Sequence, residues 1–226
     1  MQTETQIASS IFDKISNVYD KFLNLFTFGL INKWQYELIE KTPYISKVLD
    51  IGTGTGELIK KIKKEKKDSY CVGIDLSFQM LLKAKEKLKD EKDVFFIKAD
   101  IYNPPFKQQS FDNIFLSLSY RHLEHKKLIR QTNQILKKEG YISIFDTAKL
   151  KNKTLWKGFL FTVEKIFRPI GYIFFSKEEY DYFVESLYKS FTMEEIINLF
   201  DKDGYDVVYK RKIMFGLAFI VIFKKR

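Results

Sequence analysis

The 226-residue chain is 45% apolar, enough for one α/β domain with a full core, and its longest apolar runs, such as IMFGLAFIVIF from Ile213 to Phe223, fall short of the ~20 residues that span a bilayer as a helix. A single cysteine, Cys71, excludes an internal disulfide framework and suits a reducing compartment. The net charge of +10 suits an anionic partner, nucleic acid or a membrane surface, or else no more than a lysine-rich solvated face.

The opening MQTETQIASSIFDK has neither the basic start nor the apolar stretch of a secretory signal, so a cytoplasmic protein is expected. From Val48 onward, short β-rich runs alternate with lysine-rich amphipathic segments, the pattern of βαβ units. The expected strands are KVLDI, YCVGID, VFFIKAD, DNIFLSLS and YISIFD. Between the second and third, Leu81, Ala84 and Leu88 recur at helical spacing with lysines on the other face. The lysine run KKIKKEKK, Lys60 to Lys67, reads as the exposed face and end of a helix.

After Asp146 comes an aromatic-rich segment to about Phe191, in which Trp156, Leu160, Val163 and Phe167 form the stripe of a helix packed on the sheet. A further helix starts at Thr192, an N-cap with Glu195 three residues on. The runs YDVVYKR and IMFGLAFIVIF close the chain. With so few residues between them they pair as an antiparallel hairpin beside an otherwise parallel sheet.

The first strand leads into VLDIGTGTGEL, where Gly52, Gly54 and Gly56 allow a tight turn that brings backbone N–H groups to a ligand at a helix N-terminus. The dinucleotide fingerprint is G-x-G-x-x-G; here the spacing is G-x-G-x-G, with Asp50 two residues ahead, which resembles the S-adenosylmethionine loop of class I methyltransferases. Asp50, Asp75, Asp100 and Asp146 stand at strand ends on the carboxyl edge, where open α/β sheets bind ligands. An acid after the second strand can accept ribose hydroxyls, and Asp100 is placed for an adenine amino group. His122 and His125, three apart, would share a helical face as metal ligands, but no further His and no nearby Cys supplies a third, so no metal is expected.

The resemblance extends along the chain. FDKISNVYDKFLNLFTFGLINKW, LDIGTGTGEL, GIDLSFQML, FDNIFLSLSYRHLEH and RPIGYIFFSKEEYDYFVESLYKSF follow in the order found in the C-methyltransferases of ubiquinone and menaquinone biosynthesis, which the chain resembles. That resemblance implies a Rossmann-like class I methyltransferase: a mostly parallel seven-stranded sheet with an antiparallel C-terminal hairpin, N-terminal helices and a helical lid after the fifth strand. One domain over 1–226 is expected, with an N-terminal segment (1–45), a donor-binding core (46–147), a substrate lid (148–191) and a C-terminal helix and hairpin (192–226).

It further implies S-adenosylmethionine as methyl donor, held by Asp50, Gly52, Thr53, Gly54, Thr55, Gly56, Asp75, Leu76, Met80, Asp100, Ile101 and Ser117. The implied acceptor is a lipid quinol. No nucleic-acid partner is expected, and a basic, aromatic-rich cover is compatible with peripheral contact at the inner face of a membrane. Arg121 stands at the family's substrate-ring arginine. On chemical grounds Arg121 would stabilise a phenolate, directly or through water, with His122 or Asp146 accepting its proton and Tyr19 helping to close the donor site.

Several positions depart from the family. His122 and Tyr120 replace an asparagine and a leucine, Ile31 and Asn32 replace a His-Arg pair, and a Pro-Gly pair is missing from ILKKEGYISIFDTA. Asp146 and Ala148 stand where the family has glutamate and serine. NPPF, Asn103 to Phe106, resembles the signature of amino-group methyltransferases, yet there it follows the fourth strand and here it precedes it, so it reads as a proline-stiffened loop.

Overall fold

The structure is a computed structural model and describes residues 4–226. Three helices, α1 (Glu4–Ile15), α2 (Tyr19–Phe26) and α3 (Leu30–Lys41), precede β1 (Lys47–Ile51). Alternating units follow: α4 (Glu57–Glu65), β2 (Tyr70–Asp75), α5 (Phe78–Lys87), β3 (Val94–Lys98), β4 (Phe111–Ser117), α6 (His125–Ile135) and β5 (Leu136–Thr147). The cover comprises α7 (Lys153–Phe161), a π-helical turn Thr162–Ile166, α8 (Arg168–Gly171) and α9 (Lys177–Tyr188), before α10 (Met193–Lys202), β6 (Tyr205–Ile213) and β7 (Ala218–Lys225).

Among the described residues the strands form one seven-stranded sheet in the order β3-β2-β1-β4-β5-β7-β6. The first five are parallel, and β7 runs antiparallel between β5 and β6. The order reverses between β1 and β4, and such a switch point opens a crevice at the carboxyl ends of the strands.

Both faces of the sheet are covered, which is why its central strands are nearly continuous apolar runs. Leu49, Val72, Ile114 and Ile144 pack with Leu128 of α6 and Phe200 of α10. Val48, Cys71, Phe115 and Ile220 pack on the other face with Leu38 of α3 and Ile59 of α4. Leu81, Ala84 and Leu88 are buried as their spacing requires. Thr192 and Glu195 form a reciprocal capping box that starts α10.

Three expectations are corrected. First, the Trp156 stripe packs in a third cluster away from the sheet, against Ile15, Phe22, Phe175 and Tyr180, and the π turn rotates Phe167 out to an exposed position. Second, the lysine run is not wholly exposed: Lys61 is buried against the Glu57 carboxylate (3.0 Å), and Lys63 is buried because its ammonium donates to the Lys67 and Ser69 carbonyls at the helix end (2.5 and 2.8 Å). Third, β5 starts at Leu136 rather than Tyr141, since α6 runs straight into it, and β4 stops at Ser117 because Leu118 turns left-handed (φ +61°). NPPF does lie in the loop before β4, where Phe106 packs edge-on against Phe111.

Gly171 joins α8 to the rest of the cover. A Cβ there would stand 2.0 Å from the buried Tyr180 ring, whose hydroxyl donates to the Val163 carbonyl (2.7 Å). Gly171→Ala is expected to destabilise the fold by about 1–3 kcal/mol in urea unfolding.

Candidate active site

The loop after β1 depends on its glycines. Gly52, Gly54 and Gly56 all have positive φ (+68°, +53° and +78°), and a Cβ on Gly52 would lie 2.6 Å from the Ser119 side chain. The N–H groups of Gly52 and Thr53 donate to the Ile74 carbonyl, tying the loop to β2. The Asp75 carboxylate accepts the Gly54 N–H at one oxygen and the Ser77 N–H at the other, both at 2.9 Å, and burial raises its pKa above the ordinary value. At Gly54 nothing lies within 4 Å of where a Cβ would be, so the backbone there faces open space.

Asp50 is 1% exposed. One oxygen accepts the Thr53 hydroxyl (2.7 Å); the other is shut off from solvent without a partner among the described residues. Burial pushes its pKa to about 7, the Thr53 hydrogen bond opposing and the Asp75 charge adding.

Over the carboxyl ends of the first four strands opens a cleft of about 1220 Å³, counting its mouth. Of the residues expected at the site, Tyr19, Asp50, Gly52, Thr53, Gly54, Thr55, Asp75, Leu76, Met80, Asp100, Ile101, Ser117 and His122 line it. Gly56 lies behind the loop against Ala84 and Leu88. Phe12, Leu23 and Ile31 supply an apolar wall from the N-terminal helices, beside Tyr19, whose hydroxyl burial pushes to about 12 even though Arg121 opposes the shift.

Arg121 and Asp146 do not line the cleft; they stand behind its wall as a buried ion pair. Arg121 Nη1 donates to Asp146 Oδ1 (2.6 Å) and to the Leu118 carbonyl (3.0 Å), Nε donates to Ser186 Oγ (3.3 Å), and the Arg121 backbone N–H reaches Asp146 Oδ2 (3.1 Å). Burial, the largest single influence, lowers the Arg121 pKa; the charge and hydrogen bond of Asp146 with Tyr19 and Tyr182 together outweigh it and raise the value.

The two histidines do not share a helix face. His122 ends a 3-10 turn, Tyr120–His122, while His125 opens α6 after an extended Leu123. His125 stacks on Tyr120 at 4.2 Å as a core residue. His122 Nδ1 is 3.0 Å from the Tyr182 hydroxyl of α9, the two rings stacked. Its Nε2 is shielded from solvent and has no partner among the described residues. Burial, then Arg121 and Lys189, hold its pKa well below the usual histidine value, so the ring is neutral.

Polar residues that sequence reasoning missed attach the N-terminal helices to this site. Asp20 accepts the Thr55 hydroxyl (2.8 Å), and Lys87 bridges Asp20 (3.0 Å) and Glu57 (2.6 Å). Asp13 accepts the Ser77 hydroxyl and the Gln79 N–H, and Gln35 donates to Ser117 Oγ (3.0 Å). Asp20 lies in the stretch FDKISNVYDKFLNLFTFGLINKW, whose resemblance to the family is the one signal that could have found it.

A family model described as the ubiE/COQ5 methyltransferase family matches residues 1–225. The chain belongs to that family. It is an S-adenosylmethionine-dependent methyltransferase. A demethylmenaquinone methyltransferase of Thermotoga maritima is 28% identical over 220 residues, covering 95% of this chain and 94% of the relative. A ubiquinone/menaquinone biosynthesis C-methyltransferase UbiE of Rickettsia prowazekii is 26% identical, covering 95% and 90%. A solved SAM-dependent methyltransferase from Aquifex aeolicus shares the fold with a TM-score of 0.62 at 18% identity, over 85% of this chain and 89% of its own. The putative methyltransferase solved with the Haloferax volcanii Trm112 activator does so at 0.66 and 15%, over 94% and 96%.

Two outcomes test the electrostatics of the methyltransferase's site. Arg121→Ala or Asp146→Ala strands a buried charge and is expected to lose about 3–5 kcal/mol in urea unfolding, whereas Arg121→Met with Asp146→Leu loses much less. Asp50 has a folded pKa above its unfolded one, so stability falls as pH rises from about 4 through about 7. Asp50→Asn should flatten that fall and raise stability at pH 8 by on the order of 3 kcal/mol.

Proposed function

We propose that this methyltransferase transfers a methyl group to a ring carbon of a polyprenyl quinol, a demethylmenaquinol or a related benzoquinol. The observation that carries the reading is that one cleft joins the glycine loop to the apolar wall of Phe12, Leu23 and Ile31, with His122 at the junction. The names of the relatives from Thermotoga maritima and Rickettsia prowazekii point the same way.

The residues present fit the donor: the open space at Gly54 is a cradle a side chain would fill, and Asp50 keeps an orphaned buried oxygen. Asp75 would take the ribose hydroxyls, Asp100 and Ile101 the adenine, and Thr55 and Ser117 the remaining edge. When bound, S-adenosylmethionine supplies an electrophilic methyl on a sulfonium centre.

His122 is the proton acceptor in this reading. In this reading the Nδ1–H donates to Tyr182, which leaves the buried Nε2 lone pair to take the proton of a ring hydroxyl once the acceptor occupies the cleft that His122 lines. The phenolate's ring carbon would form the new C–C bond as the methyl–sulfur bond of the donor breaks, its electron pair going to the sulfur of the departing thioether; the displaced ring hydrogen then leaves as a proton while the oxygen is reprotonated, so one proton is released per turnover. Tyr19 and the N-terminal helices exclude water, which favours a step in which opposite charges disappear. Arg121, committed to Asp146, positions the turn that carries His122 and puts a positive charge behind the phenolate.

The test offers labelled S-adenosylmethionine with demethylmenaquinol, a benzoquinol precursor and bulk RNA. Label is expected in a quinol; label in RNA alone overturns the reading. His122→Ala should lower kcat by roughly 10²-fold or more with donor Kd unchanged, and Tyr182→Phe should lower it less while moving the pH profile. Equal losses in kcat and donor binding would remove His122 from the proton-transfer role.

A further inference from the structure

The edge of the sheet that bears the cleft also carries exposed apolar side chains that the methyl transfer does not use. In the cover, Phe161, Ile166, Ile170 and Ile173 point outward, Ile173 at 76% exposure. At the turn between α2 and α3, Phe28 is 90% exposed in a left-handed conformation (φ +51°). A bulky residue held in that region and bare to water is strained and poorly solvated at once, a combination that marks functional positions.

These features share one side of the molecule. α3 runs back toward the amino end of β1, so its start and Phe28 stand at the carboxyl edge; the cover helices follow the carboxyl end of β5. The ring of Phe26 meets that of Phe167 at 5.9 Å, joining the end of α2 to the cover. The charges match as well. Lys157 and Lys165 lie in the same stretch and make no ion pair among the described residues, while the nearby acids are engaged, Glu164 by Tyr188 and Asp181 by Arg168.

A packed apolar cluster connects this surface with the cleft. Tyr19 lines the cleft at one end of α2, Phe26 stands about 10 Å along the same helix, and Phe22 between them contacts Phe26 (5.6 Å) and Phe175 (4.5 Å). The cluster thus continues without a break from Phe12, Tyr19 and Leu23 at the cleft to Phe26 beside the cover.

We propose that the face formed by the outer side of the α7–α8 segment and the α2–α3 turn docks on the surface of an anionic lipid bilayer, the apolar side chains entering the headgroup region and the free lysines meeting acidic lipids. The choice of a bilayer over another apolar partner rests on the lipid-quinol reading, because such a substrate resides there.

The experiment uses the full chain and no turnover: co-sedimentation with vesicles of phosphatidylcholine alone, or with about one third phosphatidylglycerol, at low and high salt. Binding to the anionic vesicles, weakened by salt, is expected. Ile166→Asp with Ile173→Asp, and separately Lys157→Glu with Lys165→Glu, should each weaken it by about tenfold or more, with turnover of a short-tailed, water-soluble quinol unchanged. No binding to anionic vesicles, or equal binding by both double variants, overturns the proposal. Self-association abolished by the aspartate pair, without vesicle binding, also overturns it and assigns the face to a second copy of the chain. Vesicle binding with no quinol accepted by the wild type upholds the docking face and removes only the quinol reading.

Discussion

The buried pair of Arg121 and Asp146 ties together three parts of the molecule that sequence separates. The arginine follows β4, the aspartate ends β5, and Ser186, which receives the arginine Nε–H, belongs to the cover helix α9. Ions taken out of water are tolerated only when nearly every lone pair and N–H is engaged. Here they are: Asp146 receives the arginine side chain, the Arg121 N–H and the Thr147 N–H, and Arg121 also reaches the Leu118 carbonyl. An apolar pair could match the stability but not these directions. The directions matter because the next residue is His122, which lines the cleft and whose ring is held by Tyr182 of the same cover helix.

The other wall is held differently. The helices α1 and α2 meet the glycine loop and α5 through Asp20, Thr55, Lys87, Glu57, Asp13 and Ser77; the charged members keep some contact with water, while Thr55 and Ser77 are buried. Partly exposed charge pairs of this kind contribute about 1 kcal/mol or less each, whereas the strands beneath are buried on both faces. The attachment of the N-terminal cover is therefore weaker than the sheet it covers, an ordering that suits a cleft with a bulky apolar acceptor to admit.

Most of the fold was legible because its signals are local. The glycine spacing, the aspartates at strand ends, the stripe of Leu81, Ala84 and Leu88 and the Thr192 box each need only a few neighbouring residues to be understood. The errors fall where a distant partner decides. Lys61 and Lys63 read as solvent-facing until Glu57 and the Ser69 carbonyl are seen beside them. Arg121 and Asp146 read as groups facing the substrate because nothing in their spacing says that they face each other. The π turn after Phe161 shifts the helical register by one residue, so Phe167 leaves a stripe that the sequence pattern extends through it. Along the donor side, by contrast, the expected residues other than Gly56 line one cleft, because most of them follow the end of a strand.

Composition left the meaning of the +10 charge open among nucleic acid, membrane and plain solvation. Position narrows it. A face for nucleic acid would need its free lysines spread along a groove with stacking aromatics between them, whereas here Lys157 and Lys165 sit among exposed isoleucines and a phenylalanine of the helical cover. Those apolar groups are a liability in water and gain nothing from a phosphate backbone. In the docking we propose, a bilayer surface would take both the charge and the apolar side chains, at the outer end of the apolar cluster that reaches Tyr19 in the cleft.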